Sequence, residues 1–323
     1  ADDPRRRRDR GPRRPEVSRR CRSRRGPAVA ALAAATVALA ACGGGVPTAP
    51  APRPDRPARV GPTIAATVDS ALFTVDCTFS HRAQDDPIVW FGRPGASHMH
   101  DFFGATGVDA SSTADDLRGG DTTCEDRRDT AAYWAPTLYD GPTPVDPLVA
   151  RAYYRAAVGT DVTEVQAPPA GIQLLAGDMH RAAGDWPDLD QVAWGCGLRP
   201  RALHREPPTT CTPRSPLTLR LVFPDCWDGR DVTSADHRAH AAYSTGGRCP
   251  AEHPVPIVQV QLSIQYPVWR PTPGRPSPDA GSLTLASGRF EGAHGDFFNT
   301  WDQARLERQT DLCIRALANC TIG

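Results

Sequence analysis

VQVQLSIQY, residues 258–266, decides the fold class. Val258, Val260, Leu262, Ile264 and Tyr266 alternate with Gln259, Gln261, Ser263 and Gln265. A period of two puts the apolar set on one face of a pleated strand and the polar set on the other. Leu217, Leu219, Leu221 and Phe223 repeat the pattern, and shorter strands are expected at 75–79, 172–176 and 283–286, set off by loops rich in Pro, Gly and Asp. Two stretches read as helix. Thr300-Trp301-Asp302-Gln303 fits a capping box ahead of Leu306, Cys313 and Leu317 near one helical face, and residues 147–158 read as a second helix. The sum is a mainly β chain, an antiparallel β-sandwich or jelly-roll-like single domain with long loops and a C-terminal helix.

That domain is expected to span residues 67–323. Ahead of it, residues 1–25 carry twelve Arg against four acids, and an Ala/Val/Leu run then leads to Leu39-Ala40-Ala41-Cys42. A basic start, a short apolar stretch and small residues before a cysteine read as a lipoprotein signal peptide over residues 1–42, with Cys42 lipidated. The apolar run is too short to span a bilayer. Residues 43–66 open on Gly43-Gly44-Gly45 and place Pro at 47, 50, 52, 54, 57 and 62, the composition of an extended tether. The expected address is extracytoplasmic, lipid-anchored to the outer face of the cell membrane, with the anchor as the only membrane contact and the domain a monomer.

The whole chain balances 37 basic against 37 acidic side chains, and without the signal 25 Arg face 33 acids, a net charge of −8. Phosphate backbones need a basic face, so nucleic acid is excluded as a partner. Ten cysteines are present. With Cys21 and Cys42 in the signal, Cys77, Cys124, Cys196, Cys211, Cys226, Cys249, Cys313 and Cys320 remain, an even set that implies up to four disulfides outside the cytoplasm. No pair has zinc-knuckle spacing. Cys226 with Cys249 is the preferred bridge, around a loop that holds two histidines. Cys313 and Cys320 lie about 10 Å apart in a continuous helix, so either the helix ends between them or each pairs elsewhere.

The loops carry the chemistry. Residues 91–104, FGRPGASHMHDFFG, hold His98 and His100, whose side chains point the same way on an extended segment. DHRAHAAY, residues 236–243, brings His237 and His240 to one face if it is helical, with Tyr243 nearby. HGDFFNTW adds His294 and Asp296. There is no G-x-S-x-G elbow, phosphate loop or dinucleotide fingerprint.

These phrases resemble a known family. SHMHDFFG (97–104), Thr122-Thr123-Cys124, AAYWAPTLY (131–139), GIQLLAGD (171–178), FPDCWDG (223–229), DHRAHAAY, CPAEHPV (249–255) and HGDFFNTWD (294–302) are similar to motifs of the secreted domain-of-unknown-function family nineteen-ninety-six, over about residues 70–313. Ala105 stands where many members have Asn. The resemblance implies a secreted domain in a glycan-rich setting and assigns no activity.

Three readings of the polar residues compete. In a polysaccharide-active or polysaccharide-binding site, His98, His100, His237, His240, Tyr243 or His294 transfers protons, Asp101 or Asp296 orients the imidazole, and Arg93, Trp134 and Trp227 meet the sugar. Such an enzyme would be a polysaccharide lyase or a glycoside hydrolase; without catalysis the same surface makes a carbohydrate-binding or structural cell-surface module. In a metal site, His98, His100, His240 and His294 supply neutral imidazole to a divalent transition metal. In the third reading these groups only hydrogen-bond long loops to the sheet. Convergence of at least three of the four histidines, within about 8 Å, is the sign expected of either active site.

Overall fold

The computed structural model describes residues 71–269 and 282–321, so the expected signal, Cys42 and the tether lie outside the described residues. Eleven strands build two facing sheets: β1 (Leu72–Cys77), β2 (Phe79–Ala83), β3 (His100–Gly104), β4 (Ala132–Pro136), β5 (Val149–Arg155), β6 (Gln173–Gly177), β7 (Val192–Cys196), β8 (Leu217–Val222), β9 (Gln259–Tyr266), β10 (His294–Phe298) and β11 (Asn319–Thr321). The six-stranded sheet runs β11-β1-β5-β9-β8-β7 and the five-stranded sheet β2-β3-β4-β10-β6. Pairing is antiparallel except between β1 and β11.

Alternation explains the packing. From β9, Val260, Leu262, Ile264 and Tyr266 enter the core, where they join Leu219 and Leu221 of β8, Phe73 and Val75 of β1, and, from the five-stranded sheet, Phe103, Tyr133, Phe297 and Leu174. The chain is thus mainly β and sandwich-like, as its period of two implies. The opposite face of the five-stranded sheet has its own apolar layer. Phe102, Trp134, Leu175 and Phe298 are covered there by Ile88, Val108 and Leu117, from the excursion between β2 and β4. That excursion includes the single-turn helix α1 (Ala114–Leu117).

Two helix expectations change. Residues 147–158 do not form a helix: they contain β5, which pairs with β1 and β9 in the middle of the six-stranded sheet. Ala150, Ala152 and Tyr154 alternate into the core, but Ala is too small and Tyr153 too apolar to make that period visible in the sequence. The C-terminal helix α2 (Gln303–Gln309) is capped by Asp302, whose carboxylate accepts from the Arg305 N–H at 2.9 Å, rather than by Thr300, which bonds the Thr130 carbonyl. It passes into a π-helical turn at Thr310–Arg315 and stops before Leu317, which is exposed at φ 54°.

Because the helix ends there, Cys320 returns to Cys313 with a Cα separation of 5.6 Å. The other bonds join Cys77–Cys124, Cys196–Cys211 and Cys226–Cys249. Four disulfides belong to an oxidising, extracytoplasmic compartment. Among the described residues no helix is long and apolar enough to cross a membrane.

Candidate metal centre

The outer face of the five-stranded sheet positions the site. On β3, His100 and Phe102 point outward while Asp101 and Phe103 point inward; on β10, His294, Asp296 and Phe298 point outward and Phe297 inward. His100 pairs with Pro136 on β4. Asp296 pairs with Trp134, so two residues back along β10 His294 is level with the same proline, and on its other side it pairs with Gly177 of β6. The register therefore lays His100, Pro136, His294 and Gly177 in one row, with Phe102, Trp134, Asp296 and Leu175 in the next. Neither Pro136 nor Gly177 carries a long side chain, so the two imidazoles meet above the row. His98, two residues before His100, joins them from the same side.

The ring centroids of His98 and His100 are 4.3 Å apart, those of His98 and His294 4.9 Å, and those of His100 and His294 5.7 Å. One ring nitrogen of each lies within 4.8 Å of those of the other two. His100 Nδ1 is 3.0 Å from the Asp85 carbonyl and His294 Nδ1 is 2.7 Å from the Gly292 carbonyl. A carbonyl only accepts, so both Nδ1 atoms carry the hydrogen and both Nε2 atoms keep a lone pair. Nε2 of all three histidines is buried without a hydrogen-bond partner among the described residues. Burial, the first cause for each ring, lowers the pKa of His98 to about 4 and, with repulsion from His98, that of His294 to about 3; His100 is held well below its ordinary value by burial and by both neighbours. Three neutral imidazoles at neutral pH are thus preorganised with bare nitrogens, and His98 is the one partly open to solvent.

His240 is not part of this group. Its Nε2 donates to the Gln173 carbonyl at 2.6 Å, at the opposite end of β6 from Gly177, and its Nδ1 is 3.1 Å from Ser234 Oγ. His237 sits at φ 60° in a turn, so the expected helical face with His240 does not form. Tyr243 donates to the Val222 carbonyl at 2.7 Å, and burial raises its pKa. Asp101 does not orient an imidazole: it faces the core, where Arg82 Nε at 2.6 Å and Thr137 Oγ1 at 2.8 Å hold its carboxylate. Trp134 is fully buried and cannot stack on a ligand, and Trp227 donates Nε1–H to the Asp231 carbonyl at 2.7 Å. The Arg93 guanidinium lies over the Trp90 ring, 4.7 Å from its centroid.

Asp296 is fully buried beside Trp134 and Leu175, and this burial, with repulsion from Asp86, pushes its pKa well above the ordinary carboxylate range. Asp86 caps a turn by accepting from the Ile88 and Val89 N–H groups. The carbonyls of Asp85 and Gly292, the Asp86 carboxylate and Arg238 were not legible as site groups. Backbone acceptors leave no side-chain signature, and Arg238 is one Arg among many.

Fold and site define an extracytoplasmic, disulfide-stapled β-sandwich with a three-histidine cluster on the outer face of its smaller sheet. The chain belongs to the family described as domain of unknown function (DUF1996), whose model matches residues 86–301, a span that includes all three histidines. Neither the curated proteins nor the solved structures gave a match.

Proposed function

We propose that this is an extracytoplasmic metal-binding protein in which His98, His100 and His294 hold one divalent transition metal through Nε2. The observation that carries the reading is the three partnerless Nε2 atoms, two of them on rings fixed by Nδ1–H to backbone carbonyls. That is the outer-shell arrangement which sets tautomer and ring direction in histidine metal sites. An all-imidazole set suits zinc, copper, nickel or iron and not calcium or magnesium. Three protein ligands leave a coordination position open, as in metal centres that bind a substrate or water. The test is elemental analysis of purified protein, then titration of chelator-treated protein with each metal. One equivalent should bind, and His100→Ala should reduce the affinity at least about a hundredfold; failure to bind any of these metals sinks the reading.

Polysaccharide remains the proposed ligand class on narrower support, since Trp134 and Trp227 are not free surfaces. Trp90 with Arg93 upon it and exposed Phe91, on the excursion that leads into His98, are what a sugar ring would meet. A glycan panel run on metal-loaded protein tests this. Anchoring through a lipid on Cys42 completes the proposal, supported by the apolar run and small residues that precede it.

A further inference from the structure

Asp296 is anomalous among the buried aspartates. Asp101 has Arg82 and Thr137, Asp129 has the Tyr133 hydroxyl and the Ala131 N–H, Asp225 has the Ser244 N–H, and Asp86 has two backbone N–H groups. Asp296 receives no hydrogen bond from any described residue, although its side chain is buried and its Oδ2 is shut off from solvent. Leaving such an acceptor unmet is costly, and an apolar residue would fill the row between Trp134 and Leu175 better.

What Asp296 shares with His294 is a wall. Asp296, His294, Asp86 and Arg238 line one cavity of about 20 Å³, roughly the space of a single water molecule. Arg238 is held at its edge by donating to the Gly177 carbonyl at 2.6 Å. The Asp296 carboxylate is not within the 4.8 Å ligand group formed by the three rings, so it stands outside direct ligation. His294 thus joins the two features: its ring packs against those of His98 and His100, and it borders the small space that Asp296, an acceptor without a donor, also lines.

We propose that Asp296 positions a water molecule on the metal held by His98, His100 and His294, accepting a hydrogen bond from that water at Oδ2. This rests on the metal reading above. A single hydrated ion meets all four orphaned atoms: three imidazoles and the water oxygen bind the ion, and the water hydrogen meets the carboxylate. The centre is then an aquo site with its water aimed from the sheet, with Asp296 a positioning residue.

The test compares wild type, Asp296→Leu and Asp296→Asn, each loaded with cobalt(II). The readouts are metal stoichiometry, the visible cobalt spectrum and the affinity for thiocyanate, which must displace the bound water. All three proteins should bind one equivalent of cobalt. Asp296→Leu should shift the spectrum and bind thiocyanate about tenfold more tightly, the worth of one hydrogen bond. Asp296→Asn, which keeps an acceptor oxygen without the charge, should remain close to wild type. The proposal is overturned if Asp296→Leu keeps the wild-type spectrum and thiocyanate affinity, or if Asn behaves as Leu does, since charge or packing would then explain the effect. Should Asp296→Leu fail to fold, line broadening by oxygen-17 water in the copper(II) spin-resonance spectrum of wild type decides, and no broadening overturns it. A wild type that takes up no metal defeats the metal reading itself, whereas metal uptake without a held water defeats only the role of Asp296.

Discussion

His100 and His294 meet edge to face above Pro136, with ring centroids 5.7 Å apart and planes at 89°, although β4 separates their strands. Neighbouring strands lie about 4.8 Å apart, so two steps of the sheet would keep these side chains about 10 Å apart if both stood upright. They lean together instead, and each is held in that pose by a carbonyl on its Nδ1.

The depressed pKa values give the metal-free domain a signed pH dependence. His98 and His294 titrate near 4 and 3 when folded, against about 6.5 when unfolded. Between these limits the unfolded chain binds protons that the folded chain does not. The stability tied to these rings is therefore complete above about pH 6.5 and is lost as the pH falls towards 4 for His98 and towards 3 for His294. Urea midpoints taken with chelator present should fall more steeply for wild type than for His294→Gln over that window. Parallel curves would refute the assignment.

Gly177 sits at φ +76°, and a Cβ there would come within 2.2 Å of the Ala293 carbonyl oxygen and 2.9 Å of His294 Cα. Gly177→Ala should cost at least about 1–3 kcal/mol of stability and, by moving His294, lower metal affinity about tenfold. Gly95→Ala is the control, since Gly95 also has a positive φ, +72°, but open space around it. It should leave metal affinity unchanged in calorimetric titration.

Arg82 holds the fully buried Asp101 with its own side chain only 18% exposed. Arg82→Met strands that carboxylate and should destabilise the fold by about 3–5 kcal/mol in chemical denaturation. Metal stoichiometry under native conditions should not change, because Asp101 faces away from the histidines. Loss of metal from a folded Arg82→Met protein would put Asp101 back in the site.

Cys42→Ala tests the address. Expressed with the full N-terminal segment, wild type should partition into the detergent phase of a membrane extract, and the variant should appear in the aqueous phase. Equal partitioning of the two removes the lipid anchor from the proposal.

The sequence by itself determined the β class, the disulfide-bonded compartment and the partnership of His98 with His100. Each follows from a short-range pattern: alternation in 258–266, an even set of cysteines, and a two-residue spacing on an extended segment. Where local pattern was ambiguous it misled, as in β5, where small and aromatic residues hid a strand, and at Leu317, where the helix had already ended. Only the tertiary structure decided which distant residues share a site. HGDFFNTW and DHRAHAAY look equally promising as sequence, yet register across β3, β4, β10 and β6 brings His294 to His100, while His240 is taken by the Gln173 carbonyl. Strand order and register are long-range properties, and a one-residue slip of β10 would have turned His294 and Asp296 into the core and left the outer face without either.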